Sequence, residues 1–293
     1  MHARAIALEA LSSPCRLCPR ACNARRREGE NGICRLDSGL RVFCANLHFG
    51  EEPPISLVRG SGTVFFSGCS LRCIFCQNYA FSHLMNGEML TPRELAGKMC
   101  RLQQRGAHNI NWVTATPQLP AAVEALAIAR ERGLRIPLVF NSSGYESLDV
   151  LRLLEGVVDL YLPDAKYATP EPAQRYSSAP DYPEVNRRAL VEMYRQVGGV
   201  RLNADGSARR GLIIRHLVLP GNASGTAEVL RFIAQELGAD VGVSLMHQYF
   251  PAYQAHADPV LGRPITWEEW EAALECLDAW EFETLYVQEW DRE

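Results

Sequence analysis

The sequence predicts an α/β fold built on a parallel sheet, and three observations carry that expectation. Short apolar runs alternate with helical patterns about six times after Gly62, the signature of parallel strands joined by right-handed crossovers. Hydrophobic residues make up 47% and charged residues 22% of the chain, close to soluble globular averages, which excludes disordered, collagen-like and coiled-coil classes. The 293 residues suffice for one large domain with a small appendage. A net charge of −4 gives no general attraction for nucleic acid or an acidic membrane. No run approaches the roughly 18 apolar residues that span a bilayer, and the first twelve residues lack the apolar core of a secretory signal. The expectation is a cytoplasmic protein.

Residues 1–60 are rich in Cys, Arg, Gly and Pro with little sustained periodicity, so they read as a leader held by something other than a core, ahead of a domain over 61–293. The expected buried strands are Thr63-Val64-Phe65-Phe66, Ile110-Asn111-Trp112-Val113, Ile136-Pro137-Leu138-Val139-Phe140, and residues 157–162, 212–219 and 241–246, with residues 282–287 as a seventh candidate. Thr91, Pro92 and Glu94 form a capping box and first helical turn before Leu95, Met99 and Leu102; Thr266 and Glu269 repeat the signal before Trp270, Ala273, Leu274 and Leu277. Alternation alone leaves open whether the sheet stays flat or curls into a barrel.

Cysteine is the outlier, with ten residues of which eight precede residue 77. In a reducing compartment such clustering points to metal rather than disulfides. Directly after the first expected strand comes Ser67-Gly68-Cys69-Ser70-Leu71-Arg72-Cys73-Ile74-Phe75-Cys76-Gln77-Asn78. Three thiolates at this spacing in a loop can hold three irons of a cubane and leave the fourth without a protein ligand. The competing reading is buried cysteines, or zinc with His83 as fourth ligand. In the leader, Cys15, Cys18, Cys22 and Cys34 offer four more thiolates, suited to zinc or a second, fully ligated cluster. A structural zinc could stabilise a coreless segment by about 10 kcal/mol. Cys44 is an alternate ligand, Cys100 and Cys276 read as packed hydrophobes, and the Arg25–Arg26–Arg27 run reads as a solvated face.

The segment 69–78, with an aromatic residue before the third cysteine, resembles the cluster loop of the radical S-adenosylmethionine (SAM) superfamily. More narrowly, the chain is similar to relatives of the pyruvate formate-lyase-activating enzyme that carry a cysteine-rich leader. The similarity extends over residues 15–34, 106–111, Asn141-Ser142-Ser143-Gly144-Tyr145, 161–167 and 215–221. It implies a partial (β/α)6 parallel barrel of radical SAM type behind a small cysteine-rich extension. It also implies a [4Fe–4S] cluster on Cys69, Cys73 and Cys76, with SAM chelating the fourth iron. Reduction then cleaves SAM to methionine and a 5′-deoxyadenosyl radical that abstracts a hydrogen atom.

Asp164 and Lys166 stand two residues apart after an expected strand, so both point to one side; the resemblance puts them in the cofactor pocket with Asn141 and Ser142. The relative has Asp-Thr where this chain has Asn141-Ser142, which removes a negative charge and puts any cation site there in doubt. Loop-end ion pairing is the bland reading of Asp164 and Lys166. Arg215 interrupts an apolar run, where an unpaired charge is costly, so it must meet a carboxylate or a ligand; the resemblance favours the cofactor region. His216 faces the opposite way and reads as structural. Where the superfamily has a glycine- and glutamate-containing turn for the methionine amino group, this chain reads Val113-Thr114-Ala115-Thr116-Pro117, so Thr114 and Thr116 are the candidate acceptors. Gly60-Ser61-Gly62 reads as a turn. Pro220-Gly221 suits either a turn or nucleoside recognition, and His247, Gln248 and Tyr249 match the relative poorly. No catalytic acid or base is assigned.

The functional expectation is a radical SAM oxidoreductase fed by a low-potential electron donor such as flavodoxin or ferredoxin, with glycyl-radical activation of a protein partner as its reaction. The alternatives are the same chemistry on a small molecule, peptide or RNA, and a non-catalytic zinc-binding interaction module.

Overall fold

A computed structural model describes residues 1–290. Its strands are β1 (Leu40–His48), β2 (Ser61–Phe66), β3 (Glu88–Leu90), β4 (Ile110–Val113), β5 (Leu138–Ser142), β6 (Leu160–Pro163), β7 (Arg201–Leu202), β8 (Ala208–Leu217), β9 (Gly242–Met246) and β10 (Thr284–Val287). The helices are α1 (His2–Ala10), α2 (Pro53–Ser56), α3 (Tyr79–Ser82), α4 (Pro92–Gln104), α5 (Leu119–Glu131), α6 (Leu148–Leu154), α7 (Pro170–Ser177), α8 (Tyr182–Val197), α9 (Thr226–Glu236) and α10 (Trp267–Asp278). The sheet runs β10-β9-β8-β6-β5-β4-β2-β1-β3, with β7 paired antiparallel to β8. The seven strands from β2 to β10 on this path are mutually parallel, so the seventh candidate strand forms. Both expected capping boxes form, Thr91 with Glu94 and Thr266 with Glu269, and each is worth about 1 kcal/mol to its helix.

The period of two along each strand sorts the side chains. One face sends Val64, Phe66, Trp112, Phe140, Tyr161, Leu212, Ile214, Val243 and Leu245 into the large core shared with the helices. On the other face Val139, Leu160, Leu162 and Ile213 meet Ile55 and Ala208 in a second, small apolar cluster. Further along that inner face, toward the carboxyl ends of the parallel strands, Phe65, Asn141, Arg215, Ser244 and Met246 line one cavity. Strands so far apart in the sheet can share a cavity only if the sheet curls around it, which is the partial barrel expected.

The leader departs from expectation. It has a core: Ala5, Leu8, Leu17, Ala24, Leu40 and Val42 are buried in the main cluster, and β1 pairs antiparallel with β2. The apolar positions are too widely spaced among Arg and Gly to show a period, because each packs on the barrel instead of on its own neighbours. The arginine run also divides. Arg25 and Arg27 pair at the surface with Glu28, Glu30 and Glu9, but Arg26 is only 2% exposed. Its guanidinium donates to the carbonyls of Asp37 and, at 2.6 Å, Pro117. A solvated face is therefore wrong for Arg26, whose neighbours in sequence gave no sign of a folded cover.

Candidate active site

The loop after β2 begins at Ser67 and Gly68. Gly68 has φ +78°, and a Cβ there would stand 2.8 Å from the Cys34 carbonyl oxygen and 2.9 Å from Leu36 Cγ, so glycine is what lets the leader lie against this loop. Arg72 takes φ +57°, a left-handed conformation that costs a non-glycine residue about 1–2 kcal/mol. Arg20 of the leader supports the loop. Its guanidinium donates to the carbonyls of Ser70 at 3.0 Å and Leu71 at 3.2 Å, and to those of Ser177 at 2.7 Å and Ser178 at the end of α7. It also lies 5.4 Å over the Tyr145 ring.

Cys69, Cys73 and Cys76 line one cavity of about 750 Å³. The Cys69 sulfur accepts the Leu71 N–H at 3.4 Å, Cys73 accepts the Ser177 hydroxyl at 3.0 Å, and Cys76 lies 3.2 Å from the Ser82 hydroxyl. Burial, with the nearby Cys76, pushes the Cys69 thiol up to about 12; burial and Cys73 raise Cys76. Such thiols stay protonated unless a metal replaces the proton.

The strand ends supply the remaining walls. Asp164 and Lys166 line the cavity together and pair at 2.6 Å, on the common side that their spacing requires. Burial works against the Lys166 charge, but Asp164 outweighs it and holds the ammonium above its ordinary range. Asn141 and Ser142 line the cavity at the end of β5. Thr114 lines it too, at φ +63° with its N–H donating 3.0 Å to the Asn141 carbonyl. Arg215 lines it from β8. Its guanidinium pairs with Glu51 and, at 2.7 Å, Glu52, whose side chains are 5% and 4% exposed. Burial opposes both charges, yet the mutual attraction keeps Arg215 above and Glu52 below the ordinary values.

Glu51 and Glu52 escaped the sequence reading. The signal was indirect: an arginine inside an apolar strand needs carboxylates, and adjacent acids before Pro53-Pro54 were free to supply them.

Thr116 does not reach the cavity. The chain enters a short 3₁₀ turn, Thr116–Gln118, and the Thr116 hydroxyl donates to Glu146 at 2.8 Å. Burial holds Glu146 up to about 8. His83 is turned away as well: its Nε2–H donates to the Cys73 carbonyl at 3.1 Å and its ring stacks on Tyr253. Burial and Arg72 depress it to about 4. Among the described residues no three of His, Cys, Asp and Glu converge on a point that one metal ion could occupy, so the zinc set with His83 is not assembled. His216 is buried, its Nδ1–H donating to the Ala165 carbonyl at 2.6 Å and its Nε2 accepting from Thr226 at 3.0 Å. The Pro220-Gly221 turn lies outside the cavity, its N–H capped by Glu269 at 2.6 Å. Gln248 lines the cavity, while His247 packs on Trp270 and Tyr249 on Phe75.

A loop carrying three thiols that line one cavity, set at the carboxyl ends of a curled parallel sheet, narrows the protein to one class. The chain belongs to the Radical SAM superfamily, whose sequence pattern matches residues 63–233. It is 32% identical over 282 residues to an uncharacterized protein of Methanocaldococcus jannaschii, covering 93% of this chain and 76% of the other. To the pyruvate formate-lyase-activating enzyme of Clostridium pasteurianum it is 29% identical over 121 residues, 39% of this chain and 50% of that enzyme. Among solved structures, native anSMEcpe with bound AdoMet superposes with a TM-score of 0.53 at 12% identity, over 75% of this chain and 61% of the other. Methylornithine synthase gives 0.50 at 14% identity, over 75% and 68%. These likenesses are of fold. The superfamily implies a [4Fe–4S] cluster and SAM. No described helix is long and apolar enough to cross a membrane.

Proposed function

We propose that this chain is a SAM-cleaving enzyme in which Cys69, Cys73 and Cys76 hold the cluster and the cavity beside them receives SAM. The observation that carries the reading is the convergence of three soft thiols with Asp164, Lys166, Asn141, Ser142, Thr114 and Arg215 on a single cavity. The donor set suits an iron–sulfur cluster, because three soft sulfurs, those of Cys69 and Cys76 raised by burial, have a reason to be gathered beside one cavity only if metal takes them up. When bound and reduced, the cluster supplies the electron that splits SAM into methionine and a 5′-deoxyadenosyl radical.

The chain's own residues then have distinct tasks. The Leu71 N–H and Ser177 hydroxyl, donating to Cys69 and Cys73, stabilise the sulfurs as thiolates. Lys166, kept charged by Asp164, offers donors to a carboxylate, and Asn141, Ser142 and Thr114 offer acceptors to an amino group. Arg215, saturated by Glu51 and Glu52, stiffens the wall between β8 and the leader; its reach toward a ligand is through whatever donor capacity these acids leave. The apolar cluster around Ile55, Leu162 and Ile213 closes the far end against water, which a radical needs.

For the substrate, partial similarity to an activating enzyme favours hydrogen abstraction from a backbone glycine of a protein partner, with a flavodoxin- or ferredoxin-like donor in a reducing cytoplasm. The test is anaerobic loading with iron and sulfide, then dithionite and SAM. The expected product is 5′-deoxyadenosine, lost in Cys73→Ala. Product formed at the original rate by that variant would refute the site; a glycyl-radical signal in a candidate partner would support the substrate.

A further inference from the structure

A second group of thiols lies outside the cavity. A Cβ placed on Gly32 would stand 3.2 Å from the Cys22 sulfur and 3.5 Å from the Cys34 sulfur, so glycine keeps the space beside these sulfurs open. Cys34 lies within charge range of Cys15 and Cys22, and Cys18 of Cys15 and Cys34, so the four thiols are near one another. Arg26 is buried beside them, with Nη1 3.9 Å from the Cys15 sulfur. Its other partners are the carbonyls of Asp37 and Pro117, and no carboxylate among the described residues reaches ion-pair distance. A buried guanidinium without a counter-anion is costly; thiolates would supply the missing negative charge.

The geometry points to a second, fully ligated iron–sulfur cluster on Cys15, Cys18, Cys22 and Cys34, with Arg26 as its counter-charge. Iron–sulfur fits better than zinc. A tetrahedral zinc needs its ligands drawn to one point, and no such convergence exists among the described residues, whereas a cubane spreads four sulfurs over its corners. Four thiols leave no iron free, so this site binds no SAM. Its task is mechanical: it fixes the segment between Cys18 and Cys22 that carries Arg20, the residue that holds Ser70 and Leu71 of the reactive loop.

This inference does not depend on the reading of the cavity, and the test separates them. The full chain with Cys69, Cys73 and Cys76 all changed to Ala is loaded anaerobically and analysed for iron, sulfide and zinc, with Mössbauer spectra. The expected result is about four irons per chain in a cluster whose spectrum SAM leaves unchanged, lost when Cys22→Ser and Cys34→Ser are added. One zinc, or no metal, would overturn it, as would a cluster that survives those two changes and disappears with Cys44→Ser. Should the triple variant fail to fold, the wild-type chain decides. About eight irons supports the second cluster; about four, all in a SAM-responsive signal, overturns it. If instead the chain with only Cys22→Ser and Cys34→Ser holds no SAM-responsive iron while the triple Ala chain keeps its four, the cavity reading fails and the leader site stands.

Discussion

The two cysteine groups offer the same kind of donor in different surroundings. The loop group has three thiols that border a 750 Å³ cavity, beside a lysine already paired to Asp164. The leader group has four thiols, those of Cys22 and Cys34 beside Gly32, and a buried arginine whose partners are carbonyls and the Cys15 sulfur. Three thiols beside open space suit a centre that must meet a second molecule; four thiols, enough to occupy every corner of a cluster, suit one that must not. On the proposed reading, the count of cysteines and the room next to them, more than the cysteines themselves, would separate reactive from structural chemistry.

The sharpest way to break this contrast is to remove one thiol from each side. Cys69→Ala or Cys76→Ala should lower deoxyadenosine formation by more than about a thousandfold, about 4 kcal/mol in the barrier. Cys34→Ser should leave at least a tenth of the wild-type rate by the same chromatographic assay. Equal losses would mean that the two groups are not functionally distinct.

Next in size is the charge cluster that closes the cavity. Glu52→Ala leaves Arg215 short of a carboxylate in a buried setting, and should cost about 3 kcal/mol in denaturant unfolding. A cost below about 1 kcal/mol would show that the pair is solvated. Arg20→Ala probes the link between the regions: it removes four carbonyl contacts to the loop and α7, and should cost about 2 kcal/mol while leaving the metal content of both groups unchanged. Arg20→Lys should not restore stability, because an ammonium cannot span these carbonyls as a planar fork does.

The smallest effect concerns the barrel wall. His216 is held neutral by burial and depressed to about 4, against about 6.5 in the unfolded chain. Below pH 6.5 the unfolded chain gains a proton that the folded one refuses, so stability falls as pH drops toward 4. Between pH 7 and 5.5 the wild type should lose about 1.2 kcal/mol more than His216→Gln, read from denaturant midpoints. An equal loss in both would place the titration elsewhere.

Much of the barrel was legible in the sequence, because a strand buried on both faces must be apolar throughout and a helix start must cap its own N–H groups. Asp164 and Lys166 were legible as a pair because their spacing fixes one side of a strand. Thr116 was not separable from Thr114: which of two threonines faces the cavity depends on a 3₁₀ turn that both residues tolerate. Glu51, Glu52 and Arg26 were hidden for a common reason. The Arg215 partner of Glu51 and Glu52 is more than 160 residues away, Arg26 is held mainly by backbone carbonyls, and charge without a near partner in sequence looks like surface. The leader's core was hidden similarly, since Leu8, Leu17 and Leu36 are buried by the folded barrel and show no period of their own.

The central claim is that the Cys69, Cys73 and Cys76 sulfurs hold a cluster whose open corner faces the cavity. Electron paramagnetic resonance of the anaerobically reduced full chain, with and without SAM, tests it most directly. The account predicts a signal that changes on adding SAM, and loss of that change, with any leader signal retained, when the three cysteines are replaced by Ala. A reduced signal from the wild-type chain that SAM leaves untouched would contradict it.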